Sequence, residues 1–392
     1  MNMSSIVKQT GQDFSFHLPT RIEFGYGKSS LLAENLVNLG VNRVFIVSDK
    51  GVESAGLLSG IISSLQDSKI VSELYLEVEP DPSLETIDRG AEYFLSGHYD
   101  CLVAVGGGSV IDTAKGIRIV ASQGGSIRDY AGVDKIVSSS AIPLLTIPTT
   151  SGTGSEVTIF GVYSDWKNNV KVTVTSQHMA PTLTIVDPEL TMGLPENMTA
   201  ASGIDALAHG IETYFSLRSC PASDALATEA ITTVGSHLRQ AVVDGKDKEA
   251  RIGMSHGSLL AGMAFNNGFL GLAHAIGSAL SGHCHVPHGI AIGLLLPRVV
   301  EFNAQVCPLK AAKIAQLLGV EGEDETQLAG QAAKAVAFLV REIGLPTRLK
   351  ELNVPEDRLA AIASDSFQSG MMRFNPRQPA EADVLDLLKR VY

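Results

Sequence analysis

The sequence has few cysteines, and none of them form a paired motif. Its four cysteines, Cys101, Cys220, Cys284 and Cys307, are scattered along 392 residues without a Cys-x-x-Cys spacing. Disulfide frameworks and thiolate zinc sites both depend on patterned cysteines. Neither is indicated here, so we expect any metal in this chain to be held by nitrogen and oxygen ligands.

Long apolar runs are also missing. Mean hydropathy is positive, at +0.16, yet no apolar stretch reaches the roughly 18 to 20 residues that a membrane-spanning helix needs. Residues 1–16 contain no apolar segment followed by a small-residue cleavage site, so no secretory signal is predicted. We therefore expect a cytoplasmic protein that does not cross a membrane.

Positive charge is in deficit. Thirty Lys and Arg stand against 42 Asp and Glu, which gives a net charge of −12. A surface that follows nucleic-acid phosphates needs a basic excess, so nucleic acid is not expected as a partner and the substrate is expected to be a small molecule. Hydrophobic residues make up 45% of the chain and charged residues 18%, which predicts a compact fold, and the length favours two domains.

The first half of the chain alternates between apolar runs and helical spacing. Continuous apolar runs of strand length occur at residues 43–48, 101–105 and 144–147. Segments such as 56–65 and 84–95 between them have the 3.6-residue period of a helix. Continuous apolar strands are typical of a parallel sheet that is covered on both faces, so this half predicts an α/β nucleotide-binding architecture.

The pattern changes near Asp187 and Pro188. Further along, the chain is rich in Ala, Leu, Glu and Gln, with helical periodicity over residues 221–243, 248–267, 309–318 and 327–343. The sequence therefore predicts an α/β domain with a mainly parallel sheet at residues 1–188 and an all-α domain at residues 189–392.

A glycine turn follows the apolar run at 101–105. Gly106, Gly107 and Gly108 precede Ser109 and a helical segment. Glycines let the backbone approach a pyrophosphate, and a helix N-terminus attracts its negative charge. Only the first two glycines fit Gly-x-Gly-x-x-Gly, because Ile111 takes the third position. On this motif alone, a structural turn and a cofactor site are equally good interpretations.

A second cluster of small residues follows the run at 144–147. Residues 148–156 supply five Thr and Ser hydroxyls and a flexible backbone where a predicted strand ends, a preferred ligand position in parallel sheets. A Ser/Thr-rich surface loop has the same composition, but two such loops in one sheet favour a shared ligand. Asp49 ends the run at 43–48, where a carboxylate would accept ribose hydroxyls and repel a 2′-phosphate, favouring NAD over NADP. A solvated Asp is an equally good local interpretation.

The second half contains a cluster of metal-ligand residue types. Asp205 and His209 are four residues apart, which places them on one face of a helix. Four of the ten histidines fall within 15 residues, namely His274, His283, His285 and His288. Core histidines bonded to the backbone remain an alternative to a metal site. Carboxylate and imidazole ligands suit Fe(II), Zn(II) or Mn(II), and spacing does not choose among them.

Taken in order, these motifs resemble the iron-dependent (group III) alcohol dehydrogenase family. The matching segments are Phe24-Gly25-Tyr26-Gly27, Asp49, Pro80-Asp81-Pro82, Gly106 to Asp112, Pro148 to Glu156, Asp187-Pro188, Gly203 to His209 and Pro287-His288-Gly289. Single segments are weak signals, whereas the ordered set covers nearly the whole chain. The resemblance implies a two-domain, dehydroquinate synthase-like fold with the metal in the cleft between the domains.

The resemblance also implies roles for individual residues. The metal ligands would be Asp205, His209, His274 and His288. NAD would lie on Asp49, Asp81, Gly106, Gly107, Gly108, Ser109, Thr149, Thr150, Thr153 and Lys171. Asp112 would brace the glycine turn, and the substrate pocket would include Phe160, Phe265 and Ser278. Many relatives carry a relay histidine where this chain has Ser278, so any proton relay must be built differently, with His283 or His285 as hypothetical substitutes.

The implied function is NAD-linked hydride transfer between a small primary alcohol or diol and nicotinamide, in a homodimeric enzyme that uses Fe(II). A divalent cation lowers the pKa of a bound alcohol, which favours departure of the hydride. A zinc-dependent polyol dehydrogenase of the glycerol type is the nearest alternative. A dehydroquinate-synthase-like lyase and a non-catalytic nucleotide-binding protein fit less well, because no basic cluster accompanies the ligands and the ligand set is intact. Residues 21–24 are a candidate edge strand between subunits.

Overall fold

The computed structural model describes residues 13–168 and 170–392. Within these ranges the chain forms two compact units. One unit is Leu18–Leu194, and the other is Pro195–Tyr392 together with the described residues 13–17. The described strands are β1 (Arg21–Phe24), β2 (Arg43–Val47), β3 (Val71–Tyr75), β4 (Cys101–Gly106), β5 (Gly132–Val133), β6 (Leu144–Pro148), β7 (Phe160–Asp165), β8 (Val170–Thr175) and β9 (Leu183–Val186).

Five helices accompany the strands in the first unit, and nine more form the second, counted over the described residues. The first five are α1 (Leu32–Asn38), α2 (Lys50–Ser54), α3 (Leu57–Asp67), α4 (Leu84–Ser96) and α5 (Gly108–Gln123). The others are α6 (Glu196–Phe215), α7 (Pro221–Val243), α8 (Lys248–Gly268), α9 (Leu272–Cys284), α10 (His288–Ala304), α11 (Pro308–Leu317), α12 (Glu325–Glu342), α13 (Leu359–Asp365) and α14 (Glu381–Arg390).

The main sheet has six parallel strands in the order β1-β9-β6-β4-β2-β3. Alternate residues of its central strand enter two different cores. Leu102 and Ala104 of β4 pack into one, whereas Val103 and Val105 pack into the other. Both faces are covered, which explains why the strands read as continuous apolar runs. The prediction of an α/β fold with a mainly parallel sheet is confirmed.

A smaller three-stranded sheet has the order β5-β8-β7. Strands β7 and β8 pair antiparallel, with Phe160 opposite Thr175 and Asp165 opposite Val170. A 3₁₀ turn at Ser155–Val157 precedes β7, and it is closed by the Thr158 N–H, which donates to the Ser155 carbonyl at 3.2 Å.

Strand β1 lies at one edge of the main sheet. It pairs in parallel with β9 of the same chain, from Arg21 opposite Leu183 to Phe24 opposite Val186. The sequence expectation of an edge strand at residues 21–24 therefore holds within one chain, and its pairing between subunits stays a prediction.

The second unit packs its helices around one apolar core. Its fully buried members include Leu207 and Ile211 of α6, Ile276 of α9, and Ile292 and Leu295 of α10. Among the described residues, no single helix is both long and apolar enough to cross a bilayer. Helices α8 and α9 meet that test only as a pair, and they are bent by 101° relative to each other.

Candidate metal centre and cofactor-binding loops

Helix α6 carries the first two predicted ligands. Asp205 and His209 are separated by one turn, so both side chains leave the same face of the helix. His209 Nε2 lies 3.8 Å from Asp205 Oδ2, and both side chains are buried. The spacing read from the sequence therefore does bring these two side chains together.

Helix α9 adds His274 to the same place. Its Nε2 lies 3.3 Å from Asp205 Oδ1, and its ring stacks on that of His209 with centroids 4.7 Å apart. Asp205 Oδ1 and His274 Nε2 are both buried and have no hydrogen-bond partner among the described residues. Asp205, His209 and His274 form a compact group whose candidate ligand atoms all lie within 4.8 Å of one another.

His288 is the first residue of α10 and lies beside this group. Its Nε2 is 3.7 Å from Asp205 Oδ1, and its side chain is 39% exposed. The next residue explains how α10 comes so close to α6. A Cβ on Gly289 would lie 2.1 Å from the Ala201 carbonyl oxygen, so only glycine permits this approach.

The electrostatics of the cluster favour a cation. Burial raises the pKa of Asp205, but His209, His288 and His274 outweigh burial and hold that pKa well below its usual range. Burial lowers the pKa of His274, but the carboxylates of Glu212 and Asp205 outweigh it and raise the value to about 9. Two buried polar atoms without hydrogen bonds are costly, and a divalent ion would satisfy both. The carboxylate and imidazole donors present here fit such an ion.

Sequence reasoning missed Glu212, whose carboxylate contacts the Nδ1 edge of His274. A signal for it exists, because Asp205, His209 and Glu212 have the i, i+4, i+7 spacing of a single helix face.

The predicted pocket residues fall in both units. Phe265 is buried on α8, and its ring stacks on His209 with centroids 4.4 Å apart. Ser278 is partly buried on α9, one turn after His274. Phe160 begins β7 in the other unit, where its carbonyl accepts a hydrogen bond from Lys115 Nζ at 2.7 Å. Ser278 therefore lies on the helix that carries His274, and Phe265 packs against the ring of His209.

His283 and His285, the other two histidines between residues 274 and 288, lie outside the candidate ligand group. His283 Nε2 lies 2.6 Å from Asp365 Oδ2 at the surface. His285 ends α9 in a left-handed conformation, with φ of 53°, and its N–H donates to the Ser281 carbonyl at 2.9 Å. His285 therefore ends the helix, whereas His283 connects it to α13.

The two predicted cofactor loops lie side by side at the carboxyl ends of β4 and β6. Gly106 is in register with Pro148, and the Thr149 N–H donates to the Gly106 carbonyl at 3.0 Å. A Cβ on Gly108 would lie 2.6 Å from Thr153 Cγ2. A Cβ on Gly107 would lie 3.3 Å from Thr150 Cγ2. The structure therefore brings the glycine turn and the Thr/Ser loop together, with Ser109 in the first turn of α5.

The predicted ribose contacts are also in the α/β unit. Asp49 follows β2 and caps α2, because its Oδ1 accepts the Val52 N–H at 2.9 Å. Lys171 Nζ donates to Asp81 Oδ1 at 2.5 Å and to Ser164 Oγ at 3.0 Å. Asp81 and Lys171, 90 residues apart, therefore form one pair.

Asp112 braces a different segment from the one expected. Its Oδ1 accepts the Ser155 hydroxyl at 2.5 Å and its Oδ2 accepts the Val162 N–H at 2.9 Å. Ser155 lies in the Thr/Ser loop and Val162 lies in β7, so Asp112 ties α5 to that loop and to β7 rather than to its own glycine turn.

Lys115 completes this brace, and sequence reasoning missed it. Lys115 is fully buried and donates to Ser155 Oγ at 2.9 Å and to Thr158 Oγ1 at 3.2 Å. Burial lowers the pKa of Lys115 to about 8, although Asp112 and Glu156 act against it. Burial also raises the pKa of the Glu156 carboxyl to about 7.

A parallel sheet with paired loops at its carboxyl edge, and a separate helical unit with a buried carboxylate–imidazole cluster, together define a metal-dependent dehydrogenase class. Comparison with known families agrees. Residues 19–188 match the family described as iron-containing alcohol dehydrogenase, and residues 199–392 match the C-terminal region of the Fe-containing alcohol dehydrogenase family. The chain belongs to the iron-containing alcohol dehydrogenase family.

Similar proteins share this organisation over their whole length. The NAD-dependent methanol dehydrogenase of Bacillus methanolicus is 34% identical, over 96% of this chain and 99% of the relative. The 1,3-propanediol dehydrogenase of Citrobacter freundii is 36% identical, over 97% and 99% respectively. A crystal structure of a 1,3-propanediol oxidoreductase superposes with a TM-score of 0.94 at 35% identity, covering 97% of this chain and all of that one. The predicted family, fold class and alcohol dehydrogenase activity are confirmed.

Proposed function

We propose that this protein is an NAD-linked, iron-dependent alcohol dehydrogenase that also runs as an aldehyde reductase. The observation that carries the proposal is the buried cluster of Asp205, His209 and His274, in which two polar atoms have no hydrogen-bond partner among the described residues. Structural polar clusters satisfy their own members, whereas this one fits a cation.

Four residues are proposed to hold the metal. They are Asp205, His209, His274 and His288, with Fe(II) as the native ion and Zn(II) or Mn(II) as chemically allowed substitutes. A bound divalent ion supplies Lewis acidity, which lowers the pKa of an alcohol and polarises an aldehyde carbonyl. The protein positions and shields the ligands. Helices α6 and α9 fix the donor atoms, and the Phe265 ring covers one face of His209 and keeps water from it.

NAD is proposed to bind at the carboxyl edge of the main sheet. Support comes from the adjacency of the two loops, in which Gly106, Gly107, Gly108 and Ser109 meet Thr149, Thr150 and Thr153. The free N–H groups at the start of α5 suit a pyrophosphate. Asp49 is proposed to accept the adenosine ribose hydroxyls and to exclude a 2′-phosphate, and the Asp81–Lys171 pair to lie near a ribose of the dinucleotide.

The substrate is proposed to be a small primary alcohol or diol, or the matching aldehyde. Relatives named for methanol and 1,3-propanediol support this size range. Phe160, Phe265 and Ser278 are proposed to line the pocket. A zinc-dependent polyol dehydrogenase is the second candidate, supported by a donor set that zinc also accepts.

The wider organisation is proposed from the same observations. Residues 1–188 would be the NAD-binding domain and residues 189–392 the helical metal-binding domain. The protein would act in the cytoplasm as a homodimer, and its partners would be small molecules rather than nucleic acid or membranes. The edge position of β1 supports a dimer formed through strand pairing.

The test is an activity screen with anaerobically purified protein. Fe(II), NAD and a panel of short primary alcohols and diols are combined, and NADH is followed by its absorbance. We expect metal-dependent NADH formation with at least one alcohol, and NADH consumption with the corresponding aldehyde. Absence of both reactions with every member of the panel would overturn the proposal.

A further inference from the structure

Glu212 lies next to the candidate metal ligands, and its carboxylate contacts three N–H groups. Its side chain is only 1% exposed. Its Oε1 accepts the Ala273 N–H at 2.6 Å, and its Oε2 accepts the His274 N–H at 3.3 Å. The same Oε2 also meets Nδ1 of the His274 ring. One carboxylate on α6 therefore holds both the backbone and the side chain of His274.

The N-terminus of α9 needs such a partner. The first N–H groups of a helix have no acceptor within the helix, and Gly271, which precedes α9, has no side chain to cap them. Two distant side chains supply the caps instead. Glu212 takes two of the N–H groups, and Asn375 Oδ1 takes the Leu272 N–H at 3.3 Å.

Asn375 is itself fixed in the core. Its Nδ2 donates to Asn303 Oδ1 at 2.7 Å, while its Oδ1 accepts from Asn303 Nδ2 at 3.0 Å. Both amides are buried. Asn375 therefore caps the same helix end as Glu212 but, unlike Glu212, makes no bond to the His274 ring. The chain thus provides a natural comparison between capping α9 and orienting His274.

The contact with Glu212 decides which ring nitrogen of His274 carries the proton. A carboxylate only accepts hydrogen bonds, so the nitrogen that faces it, Nδ1, must be the donor. In the neutral ring, Nε2 is then the nitrogen that carries the lone pair, and it lies 3.3 Å from Asp205 Oδ1. A metal-ligating imidazole needs that tautomer, and a hydrogen bond from its other nitrogen commonly fixes it.

We propose that Glu212 is a positioning residue that fixes the orientation and tautomer of His274 for metal binding. The inference rests on the proposed function only in assuming that this cluster binds a metal. It assigns Glu212 a role through His274, without contact to substrate or cofactor.

The most informative substitution is Glu212→Gln, which preserves side-chain shape. A glutamine offers one acceptor oxygen and an NH₂ group, whereas this position faces N–H groups on both of its oxygens. In either orientation of the amide, an N–H would face another N–H or would impose the wrong tautomer on His274. The matched control is Asn375→Ala, which removes a cap from the same helix end and leaves the Glu212–His274 contact in place.

The measurement is the Zn²⁺ dissociation constant of metal-free protein, determined by competition with a chelator and without NAD or alcohol. We expect Glu212→Gln to weaken zinc binding by about 10- to 100-fold, the range typical for partners that orient a ligand. Asn375→Ala is expected to remain close to wild type. Side-chain ¹⁵N shifts of the histidines add a direct readout, with His274 protonated at Nδ1 in wild type and not in Glu212→Gln.

The outcomes separate this inference from the proposed function. Wild-type zinc affinity in Glu212→Gln, or an equal loss in both variants, overturns the inference alone. Wild-type protein that binds no zinc contradicts the proposed function and overturns the inference with it. If Glu212→Gln does not fold, Glu212→Asp, which keeps the charge but shortens the reach, replaces it. Its zinc binding is then expected to weaken, and unchanged affinity overturns the inference.

Discussion

Asp205 Oδ1 and His274 Nε2 lie 3.3 Å apart inside the helical unit, and neither has a hydrogen-bond partner among the described residues. Leaving two such atoms buried costs stability unless a ligand satisfies them. A pair of this kind is expected where a protein gives up some stability to keep donor atoms available for a cation.

Replacing Gly289 tests the contribution of His288. In Gly289→Ala the new methyl would lie 2.1 Å from the Ala201 carbonyl oxygen, so the start of α10 must move away from α6. We expect weaker zinc binding by metal-free protein and an unfolding free energy lower by about 1–3 kcal/mol. Chelator competition and denaturant unfolding measure the two effects.

The control for this variant is Gly330→Ala in α12. A Cβ at Gly330 meets nothing within 4 Å, so the better helix former is expected to stabilise the protein by about 0.5–1 kcal/mol and to leave zinc binding unchanged. Unaltered zinc affinity in Gly289→Ala would contradict the assignment of His288 as a ligand.

Two substitutions of Asp49 distinguish its structural role as a helix cap from its proposed role in cofactor binding. In Asp49→Asn the amide oxygen still caps α2 through the Val52 N–H, because Asn is as good a cap as Asp. The negative charge that would repel a 2′-phosphate is lost. We expect unchanged thermal stability and a preference for NAD over NADP that falls by about tenfold, measured as the ratio of kcat/KM values.

A second variant shows what loss of the cap does. Asp49→Ala is expected to lower the unfolding free energy by about 0.5–2 kcal/mol as well as to alter cofactor preference. If Asp49→Asn keeps the wild-type preference for NAD, Asp49 serves only as a cap.

The buried carboxyl of Glu156 is expected to make the free energy of unfolding depend on pH. Burial raises its folded pKa to about 7, above the value near 4.3 in an unfolded chain. Folding therefore favours the neutral form of the Glu156 carboxyl. Its contribution to the free energy of unfolding is fully present below about pH 4.3 and is lost as the pH rises through 7. Glu156→Gln removes this loss. Its stability relative to wild type is expected to increase by on the order of 3 kcal/mol between pH 4.5 and 8, in urea unfolding.

The exposed residue Glu53 provides the control for that experiment. Glu53→Gln removes the same charge from the surface, and its stability relative to wild type is expected to change little over the same pH range. A flat difference between Glu156→Gln and wild type would show that Glu156 does not titrate as its burial requires.

Local patterns in the sequence predicted much of this fold. The apolar runs at 101–105 and 144–147 became β4 and β6, because strands buried on both faces leave no alternation to obscure them. The helical stretch at 221–243 became α7 with the same bounds. In the candidate cluster, Asp205 and His209 followed from helix geometry, whereas His274 and His288 were named through the family resemblance.

What the sequence could not reveal depends on contacts between distant segments. Asn303 and Asn375 pair across 72 positions, and nothing local marks Asn375 as a helix cap or Asn303 as its partner. Lys115 resembles any lysine of an amphipathic helix, and only the fold shows that it is buried against Ser155. Glu212 had a readable spacing, but its bond to His274 spans 62 residues and required the packing of α6 on α9.

The most direct test of the central claim is metal reconstitution of two matched variants. Asp205→Asn removes the carboxylate at the centre of the cluster, and Asp224→Asn removes another carboxylate of the same unit, one that faces Lys310 Nζ at 3.7 Å. Metal-free proteins receive Fe(II) anaerobically with NAD and a short primary alcohol. The predicted result is Fe(II) binding and NADH formation in wild type and Asp224→Asn, and neither in Asp205→Asn. Fe(II)-dependent NADH formation at the wild-type rate in Asp205→Asn would contradict the assignment of this cluster as the catalytic metal site.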